Sequence, residues 1–284
     1  MKYIDVSEHQ GLVDWSAVKG NVDGVILRAG YGKNHIDRYF VRNAAECNRL
    51  HIPCGAYWFS YAKSTVEAQN EAGFLLKAVQ PYRMELPLAY DFEYASVDNA
   101  AAQGVKITKD TASSFVHMFC LEIERCGYWC LNYTNQDFLT RYYDEGVASR
   151  YGIWLAAWKL SKTPDFTKPP RSCSIWQWGG SNVPGIAGEV DTNESYVDFQ
   201  KLLREKHCNH LTDELDDGDG GTVVEYVAKP KPAADPAQEA LTWAQSLHIV
   251  EGDSEEDKRL ALALRRYNAV FSPEDAQSVS GILS

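Results

Sequence analysis

Residues 86–95 read LPLAYDFEYA, a short apolar and aromatic run that leads into two carboxylates, Asp91 and Glu93. Successive side chains of a β-strand alternate between its two faces, so both acids are expected on one face, roughly 6 to 7 Å apart. Like charges at that distance raise the pKa of at least one member of the pair. The stretch therefore predicts a buried strand whose paired acids either cost stability or supply a proton donor for chemistry.

Seven further segments have the same strand character, being apolar throughout or alternating, with turn formers at their ends. They are YIDV (3–6), GVILRA (24–29), CGAYWF (54–59), YWCLNY (128–133), GIWLAA (152–157), SIWQW (174–178) and EVDT (189–192). Helix-length patterns lie between the early ones, near residues 37–51, 65–80 and 108–126. Strands that alternate with helices predict a parallel sheet, and eight of them predict a closed or nearly closed α/β barrel.

The later strands leave little room for crossover helices. About fifteen to twenty residues separate the strands near 153, 175 and 190, which is short for a crossover that contains a helix. The connecting segment KLSKTPDFTKPPRS (159–172) is rich in proline and turn formers, which oppose a helix. We expect an irregular barrel that is rich in helices early in the chain and poor in them late.

The composition changes after about residue 204. LTDELDDGDGG (211–221) is acidic and rich in glycine, and AKPKPAADPA (228–237) has the composition of an extended linker. Short amphipathic helix patterns follow. We therefore expect a barrel domain over residues 1–204, a linker over 205–234 and a small all-α domain over 235–284.

Charge and cysteine content exclude several classes of function. The net charge of −11 leaves no basic face for nucleic acid or for an anionic membrane. No run of about 18 apolar residues is present, and the first residues lack a cleavable apolar region, so we expect synthesis without a signal peptide. The seven cysteines have no paired spacing and are expected to be free and mostly buried. The sequence HCNH, with His207, Cys208 and His210, lacks the second half of a zinc site.

Polar side chains stand at the ends of the predicted strands, where α/β barrels place catalytic groups. The acids are Asp5, Asp91, Glu93 and Asp191, and the candidate binding residues are Arg28, Tyr57, Tyr61, Tyr133, Trp154 and Gln177. An acidic groove lined with aromatic rings is typical of proteins that hold polysaccharide, and we expect no metal and no cofactor. Asp5 as a turn residue and Asp191 as a helix cap are the structural alternatives. Two acids on one buried face are harder to explain structurally.

Eleven motifs then occur in a recognisable order. They are YIDVSEHQG (3–11), DW (14–15), VILRAGYG (25–32), DRYFVRN (37–43), GAYWFSYA (55–62), AQNEAGFLL (68–76), LPLAYDFEY (86–94), LNYTN (131–135), IWLAAW (153–158), IWQW (175–178) and VDTNESYVDF (190–199). Over residues 1 to about 200 this order resembles glycoside hydrolase family 25, the muramidases typified by lysozymes of phages and Gram-positive bacteria.

The resemblance implies a flattened barrel of five β/α units plus three strands, and hydrolysis of the β-1,4 bond between N-acetylmuramic acid and N-acetylglucosamine. It makes Glu93 the general acid, while Asp91 helps to raise the pKa of Glu93 and orients the N-acetyl group of the substrate. Asp5 and Asp191 complete the acidic floor. Because no second carboxylate is clearly placed as a nucleophile, attack by the substrate's acetamide oxygen is favoured, and inversion through an activated water remains the alternative.

Two other functions use the same residues. One is a barrel glycosidase that acts on another N-acetylated polymer such as chitin, and the other is a non-catalytic wall-binding protein, against which the set of four acids argues. The main hypothesis is an endolysin that reaches bacterial peptidoglycan after host lysis, or a secreted enzyme. In that setting the C-terminal domain is either a wall-binding module or a homodimerisation helix pair.

Overall fold

Eight strands close into a barrel in the computed structural model, which describes residues 1–158 and 168–211. With one further short strand, β3, the described residues form nine strands: β1 (Lys2–Val6), β2 (Gly24–Tyr31), β3 (His35–Ile36), β4 (Cys54–Phe59), β5 (Leu88–Asp91), β6 (Cys130–Asn135), β7 (Gly152–Ala156), β8 (Ile175–Asn182) and β9 (Glu189–Ser195). The barrel runs in the order β1, β2, β4, β5, β6, β7, β8, β9, and β1 pairs with both β2 and β9. The short β3 pairs antiparallel with the end of β2, outside the closed ring.

All eight predicted strands are present in the barrel. The first seven barrel strands run parallel to one another, and β9 is antiparallel to both of its neighbours. The sequence did not predict β3, because a strand of two residues is too short to show a periodicity. The predicted class, an irregular α/β barrel, is confirmed for the described residues.

A helix follows each of the first five barrel strands. The helices are α1 (Trp15–Val18), α2 (Phe40–Arg49), α3 (Thr65–Val79), α4 (Tyr94–Ala102), α5 (Lys109–Arg125), α6 (Gln136–Arg141), α7 (Glu145–Arg150) and α8 (Phe199–Glu205). The three predicted helices are α2, α3 and α5. Of the other helices, α1, α6, α7 and α8 span one or two turns, and amphipathic periodicity is weak over so few residues. Among the described residues, none follows β7 or β8, so the barrel is poor in helices late in the chain.

The interior of the barrel is apolar at the end where the strands begin. Tyr3, Ile26, Leu86 and Leu131 pack there with residues of helix α8, whose Phe199 and Leu203 belong to the same buried cluster. A second and larger cluster lies between the outer face of the strands and helices α2, α3 and α5. The apolar filling blocks one end of the barrel, and polar groups occupy the other.

The seven cysteines form no disulfide, as predicted, and four of them are buried. Cys47 on α2 and Cys54 on β4 are in contact with each other, and so are Cys120 on α5 and Cys130 on β6. Cys126 is exposed, which the expectation of buried thiols did not anticipate. The buried cysteines act as small apolar residues in the layer between barrel and helices.

Residues 207–211 remain attached to the barrel. The side chain of Asn209 donates to the carbonyls of Met84 and Leu86 and accepts from the amide of Trp129, and Leu211 joins the interior cluster. Most of the predicted linker at 205–234 and the predicted helical domain at 235–284 lie outside the described residues. Within the described residues, no helix is long and apolar enough to span a membrane.

The narrow interior depends on glycine at two strand positions. A Cβ at Gly55 would lie 2.3 Å from the carbonyl oxygen of Pro87, and one at Gly24 would lie 2.7 Å from Leu86. We expect Gly55→Ala to lower the free energy of unfolding by about 1 to 3 kcal/mol through overpacking, measured by urea denaturation. Gly73→Ala on α3, where a Cβ meets nothing within 4 Å, is the control and should stabilise by up to about 1 kcal/mol. Equal stability of the two variants would contradict this packing argument.

Candidate active site

A pocket of about 210 Å³ opens at the end of the barrel where the parallel strands finish. Its lining residues are Asp5, Ser7, His9, Gln10, Arg28, Tyr57, Phe59, Asp91, Glu93, Tyr133, Trp154, Gln177 and Asp191. The structure therefore brings together every predicted acid and every predicted binding residue except Tyr61. Tyr61 is partly exposed next to the pocket, with its ring 5.1 Å from that of the lining residue Phe59, and its contact with substrate stays a prediction.

Strand register explains why these side chains meet. Asp91 on β5 is paired with Tyr133 on β6, and Tyr133 is paired with Trp154 on β7. Paired residues of adjacent strands point to the same face of a sheet, so the three side chains stand next to one another in the pocket. Asp5 on β1 is likewise paired with Asp191 on β9, which sets two carboxyl groups directly opposite each other.

The expectation that Asp91 and Glu93 share one strand is wrong in part. Strand β5 ends at Asp91, and Glu93 is the residue that precedes α4, with extended backbone angles of φ −127° and ψ −172°. Because the backbone stays extended through Glu93, the alternation of faces continues. Phe92 packs outward against Phe115, and both acids line the pocket. The helix start escaped notice because Glu is not among the strongly preferred N-cap residues.

Two side-chain amides hold Asp5. Its Oδ2 accepts from Gln177 Nε2 at 3.0 Å and from Asn193 Nδ2 at 2.8 Å. The Gln177 oxygen accepts from Tyr133 Oη at 2.9 Å, and the Asn193 oxygen accepts from Trp154 Nε1 at 2.7 Å. Both amides are therefore oriented with their NH₂ groups toward Asp5. The floor of the pocket is a connected network in which aromatic donors orient the amides that bind the acid.

The four acids are protonated more readily than free carboxylates. Burial, and then the charge of Asp191, raise the pKa of Asp5 to about 7. Burial also raises the pKa of Asp91 well above its ordinary range, with Glu93 and Asp5 adding to the effect. The pKa of Glu93 is raised by burial and by Asp191, and that of Asp191 by burial. Near neutral pH the cluster therefore retains protons that exposed acids would lose.

Arg28 is the cation of the pocket, but two acids already hold it. Its Nη2 lies 2.7 Å from Glu8 and its Nε lies 2.9 Å from Asp37. Asp37 also accepts from the amide of Glu8. The guanidinium is thereby fixed in place, and its charge partly opposes the rise in the pKa of Asp91. Direct binding of substrate by Arg28 stays a prediction.

Sequence reasoning missed four lining residues and one network member. Ser7 and Phe59 follow Asp5 and Tyr57 at a spacing of two, so the alternation that identified Asp5 and Tyr57 also indicates them. His9 and Gln10 lie in a short 3-10 helix after β1, which begins with a capping box between Ser7 and Gln10; the S-x-x-Q spacing in the sequence indicates it. Asn193 stands two residues after Asp191, and the same alternation indicates its position.

The HCNH segment, residues 207–210, follows α8 and packs against the barrel. The ring of His210 packs against Tyr128 at 4.9 Å between centroids, and Asn209 makes the backbone contacts described above. Within residues 1–158 and 168–211 no group of three or more His, Cys, Asp or Glu residues is arranged to hold a metal ion. The segment's role in the described part of the chain is to fasten α8 to the barrel.

The chain is similar to known proteins both in sequence and in fold. A family model described as Glycosyl hydrolases family 25 matches residues 4–186. Lysozyme M1 of Streptomyces globisporus is 25% identical over 212 residues, which cover 70% of this chain and 69% of that protein. Solved structures with a similar fold include an autolysin and the catalytic domain of an endolysin.

The modular autolysin LytC of Streptococcus pneumoniae has a TM-score of 0.56 and 29% identity, over 68% of this chain and 46% of LytC. The match thus spans less than half of LytC. The catalytic domain of endolysin ply40, from bacteriophage P40 of Listeria monocytogenes, has a TM-score of 0.56 and 19% identity. That match covers 72% of this chain and 96% of the ply40 chain, and at this identity the similarity concerns the fold.

The pKa of Asp5 predicts a dependence of stability on pH. The folded protein binds a proton at Asp5 up to about pH 7, whereas the unfolded chain releases it near pH 4. The contribution of this group to stability is therefore complete below about pH 4 and is lost as the pH rises through 7. Asp5→Asn keeps an oxygen for both amides and removes the titration, so its gain in Tm over wild type should be larger at pH 8 than at pH 5. Calorimetry checks this, with the exposed Asp98→Asn as control; an equal gain at both pH values would refute it.

Proposed function

Because the chain belongs to glycosyl hydrolases family 25, we propose that it is a muramidase that cleaves the β-1,4 bond between N-acetylmuramic acid and N-acetylglucosamine in peptidoglycan. The observation that carries the proposal is the cluster of four acids with raised pKa values in one open, ring-lined pocket. Glycoside hydrolysis needs a carboxyl group that is still protonated at the working pH, next to a face that the sugar can reach.

Glu93 is the acid best suited to protonate the leaving oxygen. It is only partly buried, whereas Asp91 is 5% exposed and Asp5 7% exposed. Burial and the Asp191 charge favour the protonated form of Glu93, which is the form a general acid requires. The charge of Asp191 raises the pKa of Glu93, and the charge of Glu93 in turn raises the pKa of Asp91, so the expected coupling between Asp91 and Glu93 acts on the pKa of Asp91.

Asp91 is placed to bind the substrate rather than to exchange protons with water. Its Oδ1 is buried and has no hydrogen-bond partner among the residues that the structure describes. In the proposed reaction this oxygen accepts a hydrogen bond from the acetamide N–H of the muramic acid residue. The acetamide oxygen then bonds to the anomeric carbon while the C1–O4 bond breaks and O4 takes the proton of Glu93. Water, deprotonated by Glu93, opens the resulting ring with net retention.

Aromatic side chains form the walls against which sugar rings would pack. Tyr133 and Trp154 are held by hydrogen bonds to Gln177 and Asn193, with their rings 4.7 Å apart. Trp158 stands near the rim, 47% exposed, and its indole N–H donates to Gln177. Rigid aromatic walls supply apolar contact with the C–H faces of sugars at little cost in conformational entropy.

The similar proteins support the substrate class. LytC has been solved in complex with a synthetic peptidoglycan ligand, and Lysozyme M1 carries the activity in its name. To test the substrate, purified peptidoglycan is digested, reduced with borohydride and hydrolysed. A new muramitol end supports muramidase activity, and a glucosaminitol end contradicts it. Chitin digested in parallel tests the alternative polymer.

Replacement of the acid gives the sharpest test of the catalytic assignment. Glu93→Gln keeps the size of the side chain and removes the proton, so we expect the rate of wall clearing to fall by about two to four decades. Exposed Glu145→Gln on α7 is the control and should retain full activity. Unchanged thermal unfolding shows that the variant is folded. Clearing by Glu93→Gln at a rate near that of wild type would refute the assignment.

The Asp191 charge predicts a shift of the pH profile. Activity requires protonated Glu93 and is lost on the alkaline side as the pH passes its pKa. Asp191→Asn removes a negative neighbour and lowers that pKa, so the alkaline limb of kcat/KM should move to lower pH. A pH series on soluble glycan chains measures the limb; a limb that stays in place would mean that Asp191 does not set the pKa of Glu93.

A further inference from the structure

We propose that Glu71 on α3, which does not line the pocket, is a positioning residue that holds Asp91 and Glu93 through Ser60 and Ser96. The inference rests on the proposed function only in naming Asp91 and Glu93 as reacting groups. The contacts themselves link helix α3, the end of β4 and the start of α4. They form a polar network on the outer side of the barrel, behind the two acids.

Glu71 fastens the chain that leaves β4. It is 4% exposed, and its Oε1 accepts from the amide of Tyr61 at 2.9 Å. Its Oε2 bonds to the hydroxyl of Ser60. The same hydroxyl accepts from the amide of Ala62 at 3.1 Å and lies 2.9 Å from the hydroxyl of Tyr90. Three consecutive residues after β4 are therefore held by one buried carboxyl group and one serine.

Ser60 in turn holds both ends of the segment that carries the acids. Its amide donates to the carbonyl of Asp91 at 2.7 Å. Its carbonyl accepts from Ser96 Oγ at 2.6 Å, and Ser96 Oγ accepts from the amide of Glu93 at 3.1 Å. A shift of Ser60 would thus move Asp91 directly and Glu93 through Ser96. Catalytic groups lose much of their effect when they are displaced by about 1 Å.

Stability alone does not explain a carboxyl group at this position. Burial raises the pKa of Glu71 to about 7, so holding it inside the protein costs free energy wherever the unfolded chain ionises. The surrounding layer is mostly apolar, and replacing a whole buried polar network by apolar residues of similar volume is frequently neutral or stabilising. What an apolar residue does not supply is the pair of hydrogen bonds that fixes Ser60 and Tyr61.

Two substitutions at Glu71 separate positioning from packing. Glu71→Gln retains an oxygen for the Tyr61 amide and can donate to Ser60 Oγ, whose hydroxyl then bonds to Tyr90. We expect it to keep kcat within about threefold of wild type. Glu71→Leu fills the space without hydrogen bonds and should lower kcat by about 10- to 100-fold with little change in KM. Loss of activity in both variants, or in neither, would overturn the proposal.

A second pair of variants tests the proposal even if Glu71→Leu does not fold. Ser96→Ala removes the bond between Ser60 and Glu93 and should also lower kcat about tenfold or more, again with little change in KM. Ser113→Ala is the matched control, because Ser113 is a buried serine on α5 whose Oγ accepts from the amide of Asp144. Ser113→Ala should lose about as much stability as Ser96→Ala and keep the kcat of wild type. Equal kcat in Ser96→Ala and Ser113→Ala would overturn the proposal.

Hydrogen exchange measures the positioning without any substrate. Glu71→Leu and Ser96→Ala should exchange the amides of residues 91–96 at least about tenfold faster than wild type, and Ser113→Ala should not. If the wild-type protein does not cleave peptidoglycan, the proposed function is wrong. The exchange measurement still decides whether Glu71 holds residues 91–96 in place. Unchanged exchange in both variants would overturn the proposal.

Discussion

The pairing of β1 with β9 is the contact on which the rest of the site depends. It closes the barrel, and its register sets Asp5 opposite Asp191. An open sheet would leave these two strands at opposite edges, with each carboxyl group in water. Closure places them in one low-dielectric pocket, where desolvation raises the pKa of both groups and the charge of Asp191 adds to the rise at Asp5. The same backbone ladder that completes the fold therefore creates the electrostatic conditions for acid catalysis.

The groups around the acidic cluster reduce the free energy that is lost by burying its carboxyl groups. Amide donors from Gln177 and Asn193 satisfy Asp5, and the Arg28 guanidinium, itself bound by Glu8 and Asp37, contributes a positive charge beside Asp91. Asp5 and Asp91 are buried whereas Glu93 and Asp191 are partly exposed, so the cluster contains both deeply buried and reachable carboxyl groups. This difference allows one acid to donate a proton while another orients the substrate.

The inner and outer faces of the strands have different roles. Toward the axis, Asp91, Tyr133 and Trp154 form the pocket. Toward the helices, Tyr90 and Phe92 pack in the apolar layer, and Glu71 and Ser60 lie in the same layer. The outer layer is closely packed, and within it Ser60 is hydrogen-bonded to both Glu71 and Tyr90. Rigidity behind the strand end is what fixes the direction in which an acid at the front points.

The sequence alone determined the strands, the longer helices and the family. Alternating and apolar runs predicted all eight barrel strands, since side-chain periodicity follows from local backbone geometry. Polar residues at strand ends identified Asp5, Asp91 and Glu93, because parallel strands finish at one edge of a sheet. Asp191 reaches the same edge from near the start of the antiparallel β9. The order of motifs identified the family that the family model then matched over residues 4–186. These features depend on neighbours in the chain and are visible in one sequence.

Only the tertiary structure decided how those residues act on one another. The bonds of Asp5 to Gln177 and Asn193 span 172 and 188 residues, and no local pattern pairs residues so far apart. The start of α4 just after Glu93, the rise in the pKa of Glu93 through burial and the charge of Asp191, and the buried link from Glu71 to Ser60 likewise arise from packing between elements. Burial and register set these properties, because both desolvation and Coulomb energy depend on distances in space rather than along the chain.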